Sequence, residues 1–161
     1  MVVIDALDNK LTSLTLPPGL TSLTNLFLSS NQLANLTLPP DLTNLTWLVL
    51  DGNPLTTLVL SEPLAAADLA DTVAGLRNRG VSVFTYPLTI QLVRPRPLTG
   101  AFQFGITGPP GSYAVLASSD LANWTEVGVA SNPLGAVTFT DSTSHLFPQR
   151  FYQALPQTPP H

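Results

Sequence analysis

Asp120, Glu126, Asp141 and His145 are the residues of the C-terminal half whose chemistry could serve catalysis. Hydrolysis by a carboxylate pair needs two acids in one cleft with separated pKa values. Each of these three acids falls at a turn or strand edge, where acids act as turn formers. A nucleophile triad needs a histidine held by an orienting acid; His145 sits in a polar loop, and the other histidine, His161, ends the chain. With no cysteine either, a zinc site lacks ligands. Asp51-Gly52-Asn53 has the opening of a calcium loop but lacks its downstream Glu, and no Gly-rich phosphate-binding run occurs. The expectation is a chain that is not an enzyme and holds no metal and no cofactor.

Composition points the same way. Of 161 residues only 10% are Asp, Glu, Lys or Arg, while 44% are hydrophobic and 16 are proline; an average soluble chain is roughly 25% charged. Six Lys+Arg against ten Asp+Glu leave a net charge of -4, without the basic footprint of a nucleic-acid binder. The chain is too apolar for a disordered tail, and no apolar run approaches a membrane span. Thiols give no clue to redox compartment. Val2-Val3-Ile4 follows Met1 with no basic stretch or cleavage-site pattern, so either the protein stays inside or the chain is a truncated product that begins past an export signal, and the repeat favours the second.

A repeat dominates the first sixty residues. Residues 11–28 (LTSLTLPPGLTSLTNLFL) and 33–50 (LANLTLPPDLTNLTWLVL) are identical at 12 of 18 positions when offset by 22. Asn9, Asn31 and Asn53 keep the same interval. A period in the twenties reads as stacked structural units. Leu23-Thr-Asn-Leu26-Phe-Leu28-Ser-Ser-Asn31-Gln-Leu33 and Leu45-Thr-Trp-Leu48-Val-Leu50-Asp-Gly-Asn53-Pro-Leu55 carry the pattern L-x-x-L-x-L-x-x-N-x-L. Over about residues 2–60 the chain therefore resembles the bacterial leucine-rich repeat family with 22-residue units. The resemblance implies a short solenoid, incomplete at its N-terminus, in which each unit adds one strand to a shared parallel sheet.

Within that reading the leucines face inward, and Asn9, Asn31 and Asn53 form a structural ladder on the turn after each strand. The outward positions form a concave face with Asn25, Phe27, Ser29, Trp47, Val49 and Asp51 as candidate ligand-binding residues. Phe27 and Trp47 are the aromatic anchors for a protein or a glycan. The bland alternative is that they cover each other or missing upstream units.

At residue 61 the period breaks. Ser61-Glu-Pro63 reads as a helix start, and Leu64, Leu69, Val73 and Leu76 give a helical stripe ending at Gly80. Asp68 and Asp71 early and Arg77 and Arg79 late suit a helix dipole. With a strand at 81–86 this makes a helix-strand cap, closing a first domain at 1–86 with its cap at 61–86. Strands are expected at 88–94, 100–107, 112–118, 124–130, 135–140 and 150–155, which reads as an all-β sandwich over 87–157 with a tail at 158–161. Trp124, Phe102, Phe104, Tyr113, Phe139, Phe151 and Tyr152 would supply its core.

The segment from Gly111-Ser-Tyr113 to Ala-Asn-Trp124-Thr, then Phe139-Thr-Asp141 and Pro148-Gln-Arg150-Phe-Tyr152, resembles a C-terminal fibronectin type III or immunoglobulin-like module of surface proteins from Verrucomicrobia and related bacteria. That resemblance implies export, an extracellular or cell-surface location, and no activity. Ser-Ser-Asp120-Leu-Ala-Asn-Trp124 also resembles a turn of glycosidase propellers, where it is largely structural; a fold-level echo carries no chemistry. The leading expectation is a non-catalytic binding or adhesion segment with no nucleic-acid partner. The alternative is a structural spacer or anchor, or a fragment that self-associates through its open N-terminal repeat.

Overall fold

Alternating leucines force a strand wherever one face must be buried, and the first sixty residues contain two such stretches per 22-residue period. The computed structural model, which describes residues 1–157, folds the second stretch as a strand at Asn35–Thr37 and Thr57–Ser61 but not at Leu14–Leu16. The expected tail at 158–161, with His161, lies outside the described residues. Two units divide the chain, Met1–Tyr86 and Pro87–His161.

In the first unit, β1 (Val2–Asp5), β2 (Leu23–Phe27) and β4 (Trp47–Val49) form one parallel three-stranded sheet in the order β1-β2-β4. A second parallel sheet has the order β3-β5-β6, with β3 at Asn35–Thr37, β5 at Thr57–Ser61 and β6 at Ser82–Tyr86. The sequence period survives as register: Ile4 pairs with Leu26, Leu26 with Leu48, and Leu36 with Leu58. Between the sheets lies a core in which Leu26, Leu28, Leu33, Leu38, Leu58 and Leu60 are fully buried. Tyr86 is buried there too, its hydroxyl donating to the Leu38 carbonyl at 2.7 Å.

This corrects the expected fold class. The chain is mostly β, built of several small sheets with two short helices, and the leucine-rich-repeat solenoid with one shared sheet and a helix-strand cap is not what it forms. The reason is local. The expectation of one strand per unit leaves out the second apolar stretch, which is itself a strand at Asn35–Thr37 and Thr57–Ser61, so the strands sort into two sheets of three.

The single helix expected after Ser61 is also two pieces, α1 (Glu62–Ala66) and α2 (Ala70–Asn78). Leu64 and Leu69 are five residues apart, about 140° around one helix, and both are buried. Ala67 leaves the helical region with φ -97 and ψ -124, and this break brings both leucines onto the core. Ser61 ends β5, is buried, and makes no side-chain cap bond.

The second unit has two antiparallel three-stranded sheets facing one another. One has the order β11-β8-β7 and the other β10-β9-β12. The strands are β7 (Gln91–Leu98), β8 (Ala101–Thr107), β9 (Gly111–Ser118), β10 (Thr125–Asn132), β11 (Ala136–Asp141) and β12 (Phe151–Pro156). Pro95 and Pro97 sit in β7, an edge strand, where missing N–H donors are tolerated. Phe104, Ile106, Tyr113, Val115 and Ala130 fill the middle. Tyr152 joins the sheets, with its ring centroid 5.4 Å from Phe102 and 5.0 Å from Phe104. Two aromatics depart from the expected core: Phe151 faces out because its neighbour Tyr152 faces in, and half-buried Trp124 caps its own turn by donating Nε1–H to the Leu121 carbonyl at 3.2 Å.

Candidate binding site

The outward-facing candidates converge on the β1-β2-β4 sheet. Trp47 lies beside Asn25, which pairs with Val3; Val49 lies beside Phe27, which pairs with Asp5. Ser29 and Asp51 follow the ends of β2 and β4, tied through backbone by the Asp8 N–H to Ser29 and the Ser30 N–H to Asp51. Asn25, Phe27, Ser29 and Val49 are half-buried, whereas Trp47 is 61% exposed beside the buried Leu48.

Beside β4 runs a groove of ≈460 Å³, with Trp47, Val49 and Asp51 on one wall and Thr72, Gly75 and Arg79 of α2 on the other. Gly75 matters because a Cβ there would meet nothing within 4 Å; the helix wall is open at that point. At the mouth, Arg79 Nη1 lies 2.6 Å from Asp51 Oδ1, both groups being well exposed. An exposed pair of this kind contributes about 0–1 kcal/mol, but it cancels the charge of the groove. The sequence offered Asp51 as a ligand contact and Arg79 as a helix-end charge; in the structure they are partners. The helix wall was not legible in the repeat, because it comes from residues beyond it.

The asparagines do different work. Asn31 Oδ1 accepts the Leu11 N–H at 3.0 Å, and its Nδ2 donates to the carbonyls of Ala6 at 2.8 Å, Leu28 at 3.0 Å and Ser29 at 3.3 Å. One period on, Asn53 Oδ1 accepts the Leu33 N–H at 3.0 Å while its Nδ2 donates to Leu28 at 2.8 Å and Leu50 at 3.0 Å. Asn9 is exposed and donates only to Leu7 two residues away, at 2.8 Å.

In the second unit Asp120 and Asp141 are committed to structure. Asp120 is exposed and closes its own turn, accepting the N–H groups of Ala122 and Asn123, the Asn123 side-chain amide and the Ser118 hydroxyl. Those bonds, led by the Asn123 N–H, hold its carboxyl well below the usual range. Glu126 is exposed on β10. Asp141 is 4% exposed and accepts from Thr143 N–H at 2.8 Å, Thr143 Oγ1 at 2.7 Å, Arg150 Nη1 at 2.7 Å and Tyr152 OH at 2.9 Å. Burial alone would raise its pKa, but these donors and the Arg150 charge together hold it below the ordinary value. Burial, and then the Asp141 bond, push the Tyr152 phenol up to about 12. Arg150 also stacks 4.1 Å above the Phe147 ring. His145 Nδ1 lies 2.8 Å from the Gly100 carbonyl, which fixes the proton on that nitrogen. The Arg-Phe-Tyr end of the sequence is thus a clasp on Asp141, a role that a polar residue closing a strand hints at but does not specify.

Among the described residues, no three His, Asp or Glu side chains converge as metal ligands, and no helix is long and apolar enough to cross a membrane. Compared with family models, curated proteins and solved structures, the chain matches none.

Proposed function

We propose that the chain is a non-catalytic recognition segment whose binding surface is the groove between β4 and α2. The observation that carries this reading is Trp47, a large aromatic held exposed on a rigid strand beside a groove whose only charges neutralise each other. Exposed tryptophan is the commonest anchor residue of interfaces, and its flat face also suits a sugar ring. The partner that fits is neutral and partly apolar, a protein segment or a glycan. The strand motifs of the second unit, similar to those of exported bacterial modules, favour a place outside the cell.

Arrays of neutral glycans and of uncharged peptides test the reading directly. Replacing Trp47 by Ala should weaken capture by about 30-fold, the loss of one central anchor worth ~2 kcal/mol, while Phe27→Ala should cost less because Phe27 is half-buried. Capture that is indifferent to Trp47 would sink the proposal.

A second reading has its own observation. β1 is an edge strand with Val2 and Val3 exposed, the kind of edge that adds another strand. A spacer that self-associates there would show concentration-dependent sedimentation abolished by Val3→Lys, with Trp47→Ala having no effect.

A further inference from the structure

The two sheets of the first unit end differently. In the second sheet a further parallel strand, β6, follows β5, with Val59 paired to Phe84. In the first sheet β4 pairs with β2 on one side and, among the described residues, no strand pairs with its other side. The ≈460 Å³ groove lies beside β4 with α2 as its far wall, and five consecutive residues, Trp47 to Asp51, line it. Side chains alternate across a strand, and Leu48 and Leu50 belong to the leucine core, so what these two turn to the groove is backbone. The hydrogen bonds give the same direction. The carbonyls of Val49 and Asp51 accept from the N–H groups of Leu28 and Ser30 on the β2 side. Successive residues of a strand aim their backbone groups at opposite edges, which sends the Leu48 N–H and C=O and the Leu50 N–H to the groove. The Leu50 carbonyl accepts from Asn53 Nδ2 at 3.0 Å.

We propose, resting on the Trp47 groove as the recognition surface, that its partner is an extended, uncharged polypeptide segment that adds to β4 as a fourth strand of the β1-β2-β4 sheet. Three features select a peptide over a glycan. The backbone donors and acceptors at a sheet edge are a template for another strand, and at roughly 3.3 Å per residue about five guest residues match the stretch from Trp47 to Asp51. Gly75 leaves the helix wall without a side chain at the point where the guest must pass, and a Cβ there would meet nothing within 4 Å. Trp47 and Val49 stand on the outward side of β4, so every second guest side chain lies beside them, and an aromatic or β-branched residue gains most from that pairing. With Asp51 bonded to Arg79 at the mouth, a charged guest side chain finds no free partner there.

An array of acetylated, amidated pentapeptides of Val, Ile, Thr, Tyr and Asn, each printed unmodified and with every backbone amide N-methylated in turn, separates strand addition from general stickiness. N-methylation removes a donor and keeps the side chain. Sensitivity should therefore alternate along the peptide: methylating the amides that face β4 should weaken capture roughly tenfold or worse, the loss of one hydrogen bond, and methylating those between them far less. In nitrogen-edited NMR of the full chain, the Leu48 and Leu50 amides should gain protection from exchange when the best-captured peptide is added. Gly75→Leu should block the groove without unfolding the unit, because a Cβ there is unobstructed and leucine is the better helix former. No peptide capture, or capture indifferent to N-methylation or to Gly75→Leu, would overturn the proposal. Capture of glycans alone that depends on Trp47 would overturn it too, while leaving the recognition surface in place. Alternating sensitivity that survives Trp47→Ala would uphold the added strand and sink the role given to Trp47. Self-association abolished by Gly75→Leu would put the β1 edge of a second copy in the groove, against the proposal.

Discussion

Replacing Asn31 by Ala should cost the first unit about 2–3 kcal/mol, and the figure follows from counting what is orphaned. Of the four groups bonded to Asn31, two have other partners: the Leu28 carbonyl also accepts from Asn53, and the Ser29 carbonyl also accepts from the Asp8 N–H. The Leu11 N–H and the Ala6 carbonyl are left without one. Each unmatched, partly buried backbone group costs about 1–3 kcal/mol, and the lower half of that range applies because the side is only partly enclosed. Asn53→Ala orphans the Leu33 N–H and the Leu50 carbonyl by the same reasoning. Asn9→Ala loses one exposed local bond and should change stability by less than about 0.5 kcal/mol. The two buried asparagines share the Leu28 carbonyl, so the double variant strips it of both side-chain donors. It should therefore be about 1 kcal/mol worse than the sum of the singles. Native-state hydrogen exchange at the Leu36 and Leu58 amides reads these differences within the first unit. An Asn9 effect as large as that of Asn31, or a double variant that is merely additive, would refute the accounting.

Other outcomes follow from the second unit and the groove. Asp141→Asn leaves Arg150 facing a neutral amide in a buried clasp and should destabilise by about 3–5 kcal/mol, read by urea denaturation. Because the folded carboxyl is held below its ordinary value, its contribution is present above the unfolded pKa of about 3.9 and is lost as pH falls through the folded value; acid melts of the wild type should show a transition there that Asp141→Asn lacks. Tyr152 has the opposite sign: with its phenol pushed up to about 12, its contribution is intact below about pH 10 and is lost as pH rises toward 12. Absorbance titration should show a phenol ionising near pH 12, and Tyr152→Phe should remove that step. Arg79→Ala should change stability by no more than about 1 kcal/mol, since the pair with Asp51 is solvated; a larger loss in thermal melts would mean that the pair organises the groove.

Much of this was legible in residues, and the remainder was hidden for identifiable reasons. The 22-residue offset gives the cross-strand partners, because a register that buries one face cannot slip by a residue without exposing it. It did not show that Asn35–Thr37 and Thr57–Ser61 are strands of a second sheet, since a repeat offset gives the partner one period away but not how many strands each period holds. The break at Ala67 was invisible in a stripe of leucines and valines that looked continuous. Asp51 was legible as an outward residue but not as the partner of Arg79, because a contact across 28 positions leaves no local mark. Asp141 looked like a turn former, and it does accept from Thr143 two residues on, yet its burial depends on Arg150 and Tyr152 arriving from a strand that follows a loop.

Scarcity of charge now has a structural consequence. From residue 11 to residue 60 only Asp41 and Asp51 are charged, and Asp51 is neutralised by Arg79. Asp141 and Arg150 neutralise each other inside the second unit. The Trp47 groove has its charges paired. Recognition there must then rest on apolar contact and hydrogen bonds, with no counterions to be released. Affinity for a neutral partner should stay nearly flat between about 0.05 and 0.5 M salt, where a charge-steered complex would weaken many-fold as screening lengths shrink below about 10 Å. A steep salt dependence of capture by the Trp47 surface would mean that the Arg79–Asp51 pair opens on binding and that one of the two charges, not the tryptophan, holds the partner.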